Sequence, residues 1–209
     1  QRGSRGGPRG GGGADAGGPI AIGTPFDTGM DVVGHAADVV RRRDRDRYVA
    51  ELFAPAHARK YLFALHAFAA EIAHVPAAVS EPGLGEIRFQ WWRDALAAGD
   101  DAGHPVAAAV IATMRKFALP SAAFEMVIEG RIFDLYDDAM PAISDLEGYA
   151  GETASSVLQL AAVVLSGGGD PGAAAAAGHG GVAETLVATL RLLAFDARRA
   201  QKYVPETLL

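Results

Sequence analysis

The chain contains no cysteine. Disulfides, thiolate nucleophiles and cysteine metal sites are therefore excluded, and a reducing compartment is compatible with the sequence. Long apolar runs are also missing. One of the longest, residues 157–165 with Gln159 inside it, falls far short of the roughly 20 residues a membrane span needs, so any membrane contact is expected to be peripheral. Positive charge is not in excess: the net charge is −6, which gives no reason to expect a nucleic acid partner. The two-residue alternation of a half-buried strand is absent as well. The six histidines (His35, His57, His66, His74, His104 and His179) show neither i,i+4 pairing nor HExxH spacing, so no zinc site is expected. GxSxG is absent, and the run Gly167-Gly168-Gly169 lacks the lysine a phosphate loop requires.

What is present is a globular composition. Half of the 209 residues are hydrophobic, enough for one domain with a real core, placed at residues 30–209. Residues 1–29 differ: nine of the first eighteen are glycine, with Arg2, Arg5 and Arg9 among them. Such a segment cannot bury enough apolar surface to offset its ordering entropy and is expected to be disordered. Its two loose RGG-like repeats are too few to signify RNA binding. The arginines suit an organelle transit peptide, but the amphipathic apolar residues of one are missing. A non-native extension before Met30 competes with both readings.

From Asp31 onward the period is helical. Val33, Ala37 and Val40 open it, and the alternating charges of residues 41–47 allow Arg42 and Asp46 to pair at i,i+4. Residues 59–75 carry the stripe Leu62, Leu65, Phe68 and Ile72, ended by Pro76. After a loop at 80–85, Glu86 opens a helix with Ile87, Trp91, Trp92 and Leu96 as its bulky face. Further helices are predicted over 105–117, over 121–138 with Ser121 as N-cap, and over 144–165 with a capping box on Ser144 and Glu147. A Gly/Ala-rich connector at 166–181 leads to a last helix over 182–202. The fold class is all-α, with about seven or eight helices.

Two constellations have chemical potential. Asp134, Asp137 and Asp138 stand at i, i+3, i+4, so one helix face would offer three carboxylates to Mg²⁺; three solvated acids fit the same spacing. Arg88, Arg93, Gln90 and Trp92 offer a grip on an anionic head group, or ordinary surface ion pairs with Trp91 and Trp92 in the core.

Phe63-Ala64-Leu65-His66-Ala67-Phe68, Trp92-Arg93, Leu146-Glu147-Gly148-Tyr149 and Ala200-Gln201-Lys202-Tyr203-Val204-Pro205 resemble, in order and spacing, the squalene/phytoene synthase family. The resemblance runs from about Arg45 to the end. It implies an isoprenoid-synthase-like helical bundle around a central cavity. Members continue with further helices beyond residue 205, so it also implies a C-terminally truncated fold. Family enzymes join two prenyl diphosphates head to head, with Mg²⁺ held between two acidic clusters. Here the first cluster falls on Ala73, His74 and Ala77, with Glu71 the nearest acid. The second maps to residues 192–196, where Asp196 alone is acidic. Ser155 and Leu158 replace expected small glycines.

Tyr149-Ala150, Thr153-Ala154-Ser155-Ser156, Glu71-Ile72-Ala73 and His104-Pro105-Val106-Ala107 resemble more narrowly the complex I assembly factor 6 branch, whose members lack the aspartate motifs. This implies a non-catalytic protein that assists assembly of respiratory NADH:ubiquinone oxidoreductase and needs no cofactor. Its expected partners are complex I assembly intermediates or other assembly factors, and an isoprenoid or lipid. The expected location is the mitochondrial matrix beside the inner membrane in a eukaryote, or the cytoplasm or inner-membrane surface in a bacterium. Glu71, Arg88, Trp92 and Tyr149 are the expected cavity lining. The alternative is a Mg²⁺-dependent prenyltransferase drawing on Asp134, Asp137, Asp138 and Asp196.

Overall fold

Asp31 and Asp44 set the first two helices. The Asp31 carboxylate accepts from the Gly34 N–H at 2.8 Å and starts α1, Val32–Arg43. Asp44 adopts a non-helical backbone with φ −143°. Its N–H closes α1 on the Val40 carbonyl, and its carboxylate caps α2, Arg45–Leu52, by accepting from the Arg47 N–H. This break removes the continuous register that would have paired Arg42 with Asp46. Asp46 instead pairs with Arg191, at 3.1 Å. The computed structural model describes residues 31–136, 138–198, 203–205 and 207, with residues 194–198 as backbone only. The segment 1–29 lies outside them.

The centre of the bundle is α3, Ala56–His74, buried from Leu62 through Phe68 without interruption. It packs against α1, α2, α5 (Pro105–Phe117), α6 (Ser121–Gly130) and α8 (Ser156–Leu165). With the turn that follows, Ala56–Ala78 is long and apolar enough for a membrane span by length and composition. Its apolar surface, however, faces the other helices: Phe68 contacts Trp92 at 5.4 Å and Phe124 at 5.3 Å between ring centroids. The described residues are helices and turns with no extended strand.

Several boundaries differ from expectation. Helix α4 spans Pro82–Ala98, absorbing the expected loop because Pro82 serves as a first-turn residue. Its buried face is Gly85, Phe89, Trp92, Ala95 and Leu96, while Ile87 points outward at 67% exposure. Pro120, not Ser121, precedes the first residue of α6. That helix stops at Gly130, so Asp134 falls in a separate 3₁₀ turn, Phe133–Leu135. Helix α7, Ile143–Ala150, starts from Ala142, whose N–H donates to the Asp145 carboxylate at 3.0 Å. Ser144 is therefore not its cap. A π-helical turn, Gly151–Ser155, joins α7 to α8.

The last helix, α9, runs Ala174–Arg198 and includes much of the expected connector. Its glycines permit a close crossing. A Cβ built on Gly181 would stand 2.2 Å from Ser155 Oγ and 2.4 Å from the Ser155 backbone nitrogen. A Cβ built on Gly130 of α6 would likewise stand 2.9 Å from Glu152 Cβ and from Thr153 Cγ2. Tertiary packing thus overrides the low helix propensity of glycine.

Candidate functional site

Helix α3 and α9 face each other across a polar cleft made of two adjoining cavities, of about 390 and 420 Å³. Pro76 has no N–H to continue α3, so the chain tightens into the 3₁₀ turn Val75–Ala78. This arrangement lines one wall with Ala69, Ala70, Ala73, His74 and Ala77. The opposite wall holds Glu184, Thr185, Thr189 and Leu192 of α9. Arg43, Asp44, Arg47 and Arg131 complete the cleft. Its charges are internally matched: Arg43 lies 3.7 Å from Glu71, and Arg47 binds both Asp44 and Glu184.

One end of the cleft is a closed network around Asp134. Arg131 donates to its Oδ2 at 3.0 Å and to the Tyr149 hydroxyl at 2.6 Å. The Tyr149 hydroxyl donates to Oδ1 at 3.0 Å, and the Tyr203 hydroxyl to the same oxygen at 2.8 Å. Burial, reinforced by Asp134, pushes both tyrosine hydroxyls well above their ordinary range. Burial opposes the Arg131 charge, but Tyr149 and Asp134 outweigh it and hold the guanidinium protonated. The network is a structural clamp that draws residues 69 positions apart together.

The expected metal face is therefore not formed as a face. Asp134 is buried and has both oxygens engaged, while Asp138 is exposed and outside any helix. Asp137 and the Asp196 side chain lie outside the described residues.

The expected lining residues divide between two places. Glu71, Arg88 and Trp92 meet around a smaller pocket of about 310 Å³ with His74, Val75, Trp91 and His104. Tyr149 instead belongs to the polar cleft. Phe68 fills the core and lines neither. Arg93 pairs with Glu129 at 2.7 Å. His104 is an N-cap, its Nδ1 accepting from the Ala107 N–H at 3.3 Å, with Trp91 and Trp92 against its ring. Burial lowers its proton affinity.

Sequence reading missed Glu51 and His66. Glu51 is the sole buried residue of α2, and His66 sits inside the unbroken buried run of α3. Glu51 Oε1 and His66 Nδ1 are in direct hydrogen-bond contact. Burial pushes the Glu51 carboxyl up to about 8, against the pull of Arg47. Burial, aided by Arg47, pushes the His66 imidazole down to about 3. At neutral pH the pair is thus an uncharged acid hydrogen-bonded to an uncharged imidazole. The sequence carries only a faint trace of this, one histidine within the apolar run of residues 62–68.

Comparison with known proteins agrees with this geometry. The model of the family described as squalene/phytoene synthase matches residues 40–209. NADH dehydrogenase (ubiquinone) complex I, assembly factor 6, from Bos taurus is 32% identical over 195 residues, covering 90% of this chain and 58% of that protein. The Homo sapiens protein of the same name is also 32% identical over 195 residues, covering 92% of this chain and 56% of its own length. The Drosophila melanogaster homolog is 27% identical over 182 residues, covering 82% of this chain and 53% of its own length. This chain thus spans somewhat more than half the length of the curated relatives it matches. Among solved structures, a dehydrosqualene synthase in complex with ligand has the same fold, with a TM-score of 0.75 at 18% identity, covering 88% of this chain and 64% of that one.

Proposed function

This chain belongs to the squalene/phytoene synthase family, and from that premise we infer a non-catalytic member that assists assembly of respiratory complex I. The observation that carries the inference is the cleft wall. Ala73 and Ala77 line the cleft where family enzymes hold acids for Mg²⁺, and Leu192 stands on the facing helix. A diphosphate leaving group needs concentrated positive charge to depart. A wall of alanines opposite a cleft whose arginines are already ion-paired supplies none. The assembly factor 6 relatives, at 32% identity, give the direction in which the fold has been reused.

In this reading the protein works by binding. Its partners are complex I assembly intermediates or other assembly factors, met beside the inner membrane in the mitochondrial matrix of a eukaryote or on the cytoplasmic side in a bacterium. The reading requires no cofactor.

The experiment is deletion of the gene in the source organism, with assembled complex I quantified by native gel and NADH:ubiquinone activity. Assembled complex I is expected to fall several-fold and to return on re-expression. Normal complex I in the deletion strain would refute the assembly role.

A further inference from the structure

Helix α4 carries an apolar stripe on its solvent side. Leu84, Ile87 and Trp91 stand at i, i+3 and i+7, so they fall in one line along the helix. Leu84 is 47% exposed and Ile87 67%, and Trp91 is half-buried. The residues that α4 buries, Gly85, Phe89, Trp92, Ala95 and Leu96, belong to its other side. A single exposed apolar residue needs no explanation, but a line of three on one helix marks a contact surface.

The two edges of the stripe differ in charge. On one edge Arg88 is exposed, with no ion pair among the described residues. On the other edge Glu86, Gln90 and Asp94 follow one another at i,i+4 spacing. Arg88 and Trp91 also line the pocket of about 310 Å³, together with Val75, Ala78, Trp92 and His104. That volume lies at the floor of the range for small-molecule sites and suits one inserted side chain. The pocket shares His74 with the polar cleft, and its acid, Glu71, is turned to Arg43. Trp91 is held by Trp92 and His104, at 5.2 and 5.3 Å between ring centroids. Its free face is thus presented with little conformational freedom left to lose on binding. A fixed tryptophan beside an unpaired arginine and a small pocket is the make-up of an interface hot spot.

We propose that this face of α4 docks a complex I assembly intermediate through an amphipathic helix, whose apolar ridge covers Leu84, Ile87 and Trp91, with a carboxylate against Arg88 and a cation against Asp94. Opposite charges on the two edges fix the orientation and register of that helix. A second copy of this chain, set against α4 in antiparallel two-fold contact, would instead bring like-charged edges together. The inference rests on the assembly role and says where on the molecule that role is exercised.

The test gives the deletion strain affinity-tagged wild type, Ile87→Asp, Arg88→Glu or Arg88→Lys. Complex I subunits recovered with the chain are quantified by mass spectrometry, beside assembled complex I. The wild type is expected to carry complex I subunits and to restore the complex. Ile87→Asp and Arg88→Glu alter exposed side chains, so the level and Tm of the chain are expected to hold. The recovered subunits are expected to fall about tenfold, the loss of one hot-spot contact. Arg88→Lys keeps the charge and is expected to recover clearly more than Arg88→Glu. Should Ile87→Asp lower the level of the chain, the two Arg88 variants still decide. Failure of the wild type to restore complex I overturns the assembly role and this surface with it. Restoration by the wild type overturns the surface alone if Arg88→Glu recovers as many subunits, or if Arg88→Lys falls as far as Arg88→Glu.

Discussion

Glu51 and His66 carry the sharpest residue-scale consequence, because the folded pair holds a single proton over a wide pH range. In the unfolded chain Glu51 titrates near its ordinary 4.5 and His66 near 6.5. Folded, the acid moves up to about 8 and the imidazole down to about 3. Between pH 4.5 and 6.5 both states hold one proton on these groups, and stability is flat. Below 4.5 the unfolded chain takes a second proton that the folded pair refuses until about 3, so stability falls as pH falls. Above 6.5 the unfolded chain gives up its last proton while the folded pair keeps it until about 8, so stability falls as pH rises. At about 1.4 kcal/mol per pH unit for one proton, the loss between pH 6.5 and 8 is about 2 kcal/mol. Urea denaturation of the wild type and of Glu51→Leu/His66→Phe across pH 4 to 8 measures it. The difference between the two proteins is expected to follow this bell; a pH-independent difference would refute the single-proton pair. Neither residue stood out in the sequence, because their contact spans fifteen positions and a helix break at Pro55.

At the scale of elements, local rules held where a helix is stabilised by its own sequence. Pro105 starts α5 and the helix ends at Phe117, as the sequence indicates, because proline at the first turn and an apolar face are both local signals. They failed where a distant element decides. The spacing of Asp134, Asp137 and Asp138 reads as one helix face, yet α6 ends at Gly130. Asp134 is drawn instead to Tyr149 and Tyr203, fifteen and 69 residues away. The Gly/Ala run before residue 182 reads as a connector, yet it is helix, because the π-helical turn at Gly151–Ser155 needs a neighbour without side chains. That argument makes a prediction. In Gly181→Val the new Cβ meets the backbone nitrogen and Cα of Ser155 at 2.4 and 2.6 Å, atoms that cannot rotate away. Overpacking of this kind costs about 1–3 kcal/mol. A matched Gly178→Val, where a Cβ meets nothing within 4 Å, carries only the helix-propensity change. Chemical denaturation of the two variants compares them; equal stability would show that α9 does not press on the π turn at Gly181.

For the whole molecule, the question is what a bundle of this family does with Ala73 and Ala77 on its cleft wall. The fold and the loss of acids at residues 73, 74 and 77 were both legible in the sequence, since helical period and residue identity are local. The division of Glu71, Arg88 and Trp92 from Tyr149 was not, because it depends on how α3, α4 and α7 are set against one another. The metal question can be settled by linkage. A ligand that binds only the folded state stabilises it by RT ln(1 + [L]/Kd), which at a hundredfold excess over Kd is about 2.7 kcal/mol. A diphosphate site with working Mg²⁺ would therefore give a rise of several degrees in Tm with millimolar Mg²⁺ and farnesyl diphosphate together. For this chain the expected rise is under a degree, with no pyrophosphate released. Ala73→Asp/Ala77→Asp supplies the control, since both alanines line the cleft wall, one turn apart. The variant is expected to gain a Mg²⁺-dependent rise in Tm that the parent lacks, without gaining turnover, because Leu192 still stands on the facing helix. Pyrophosphate release by the unaltered chain would restore the synthase reading and show that this cleft recruits its metal through other side chains.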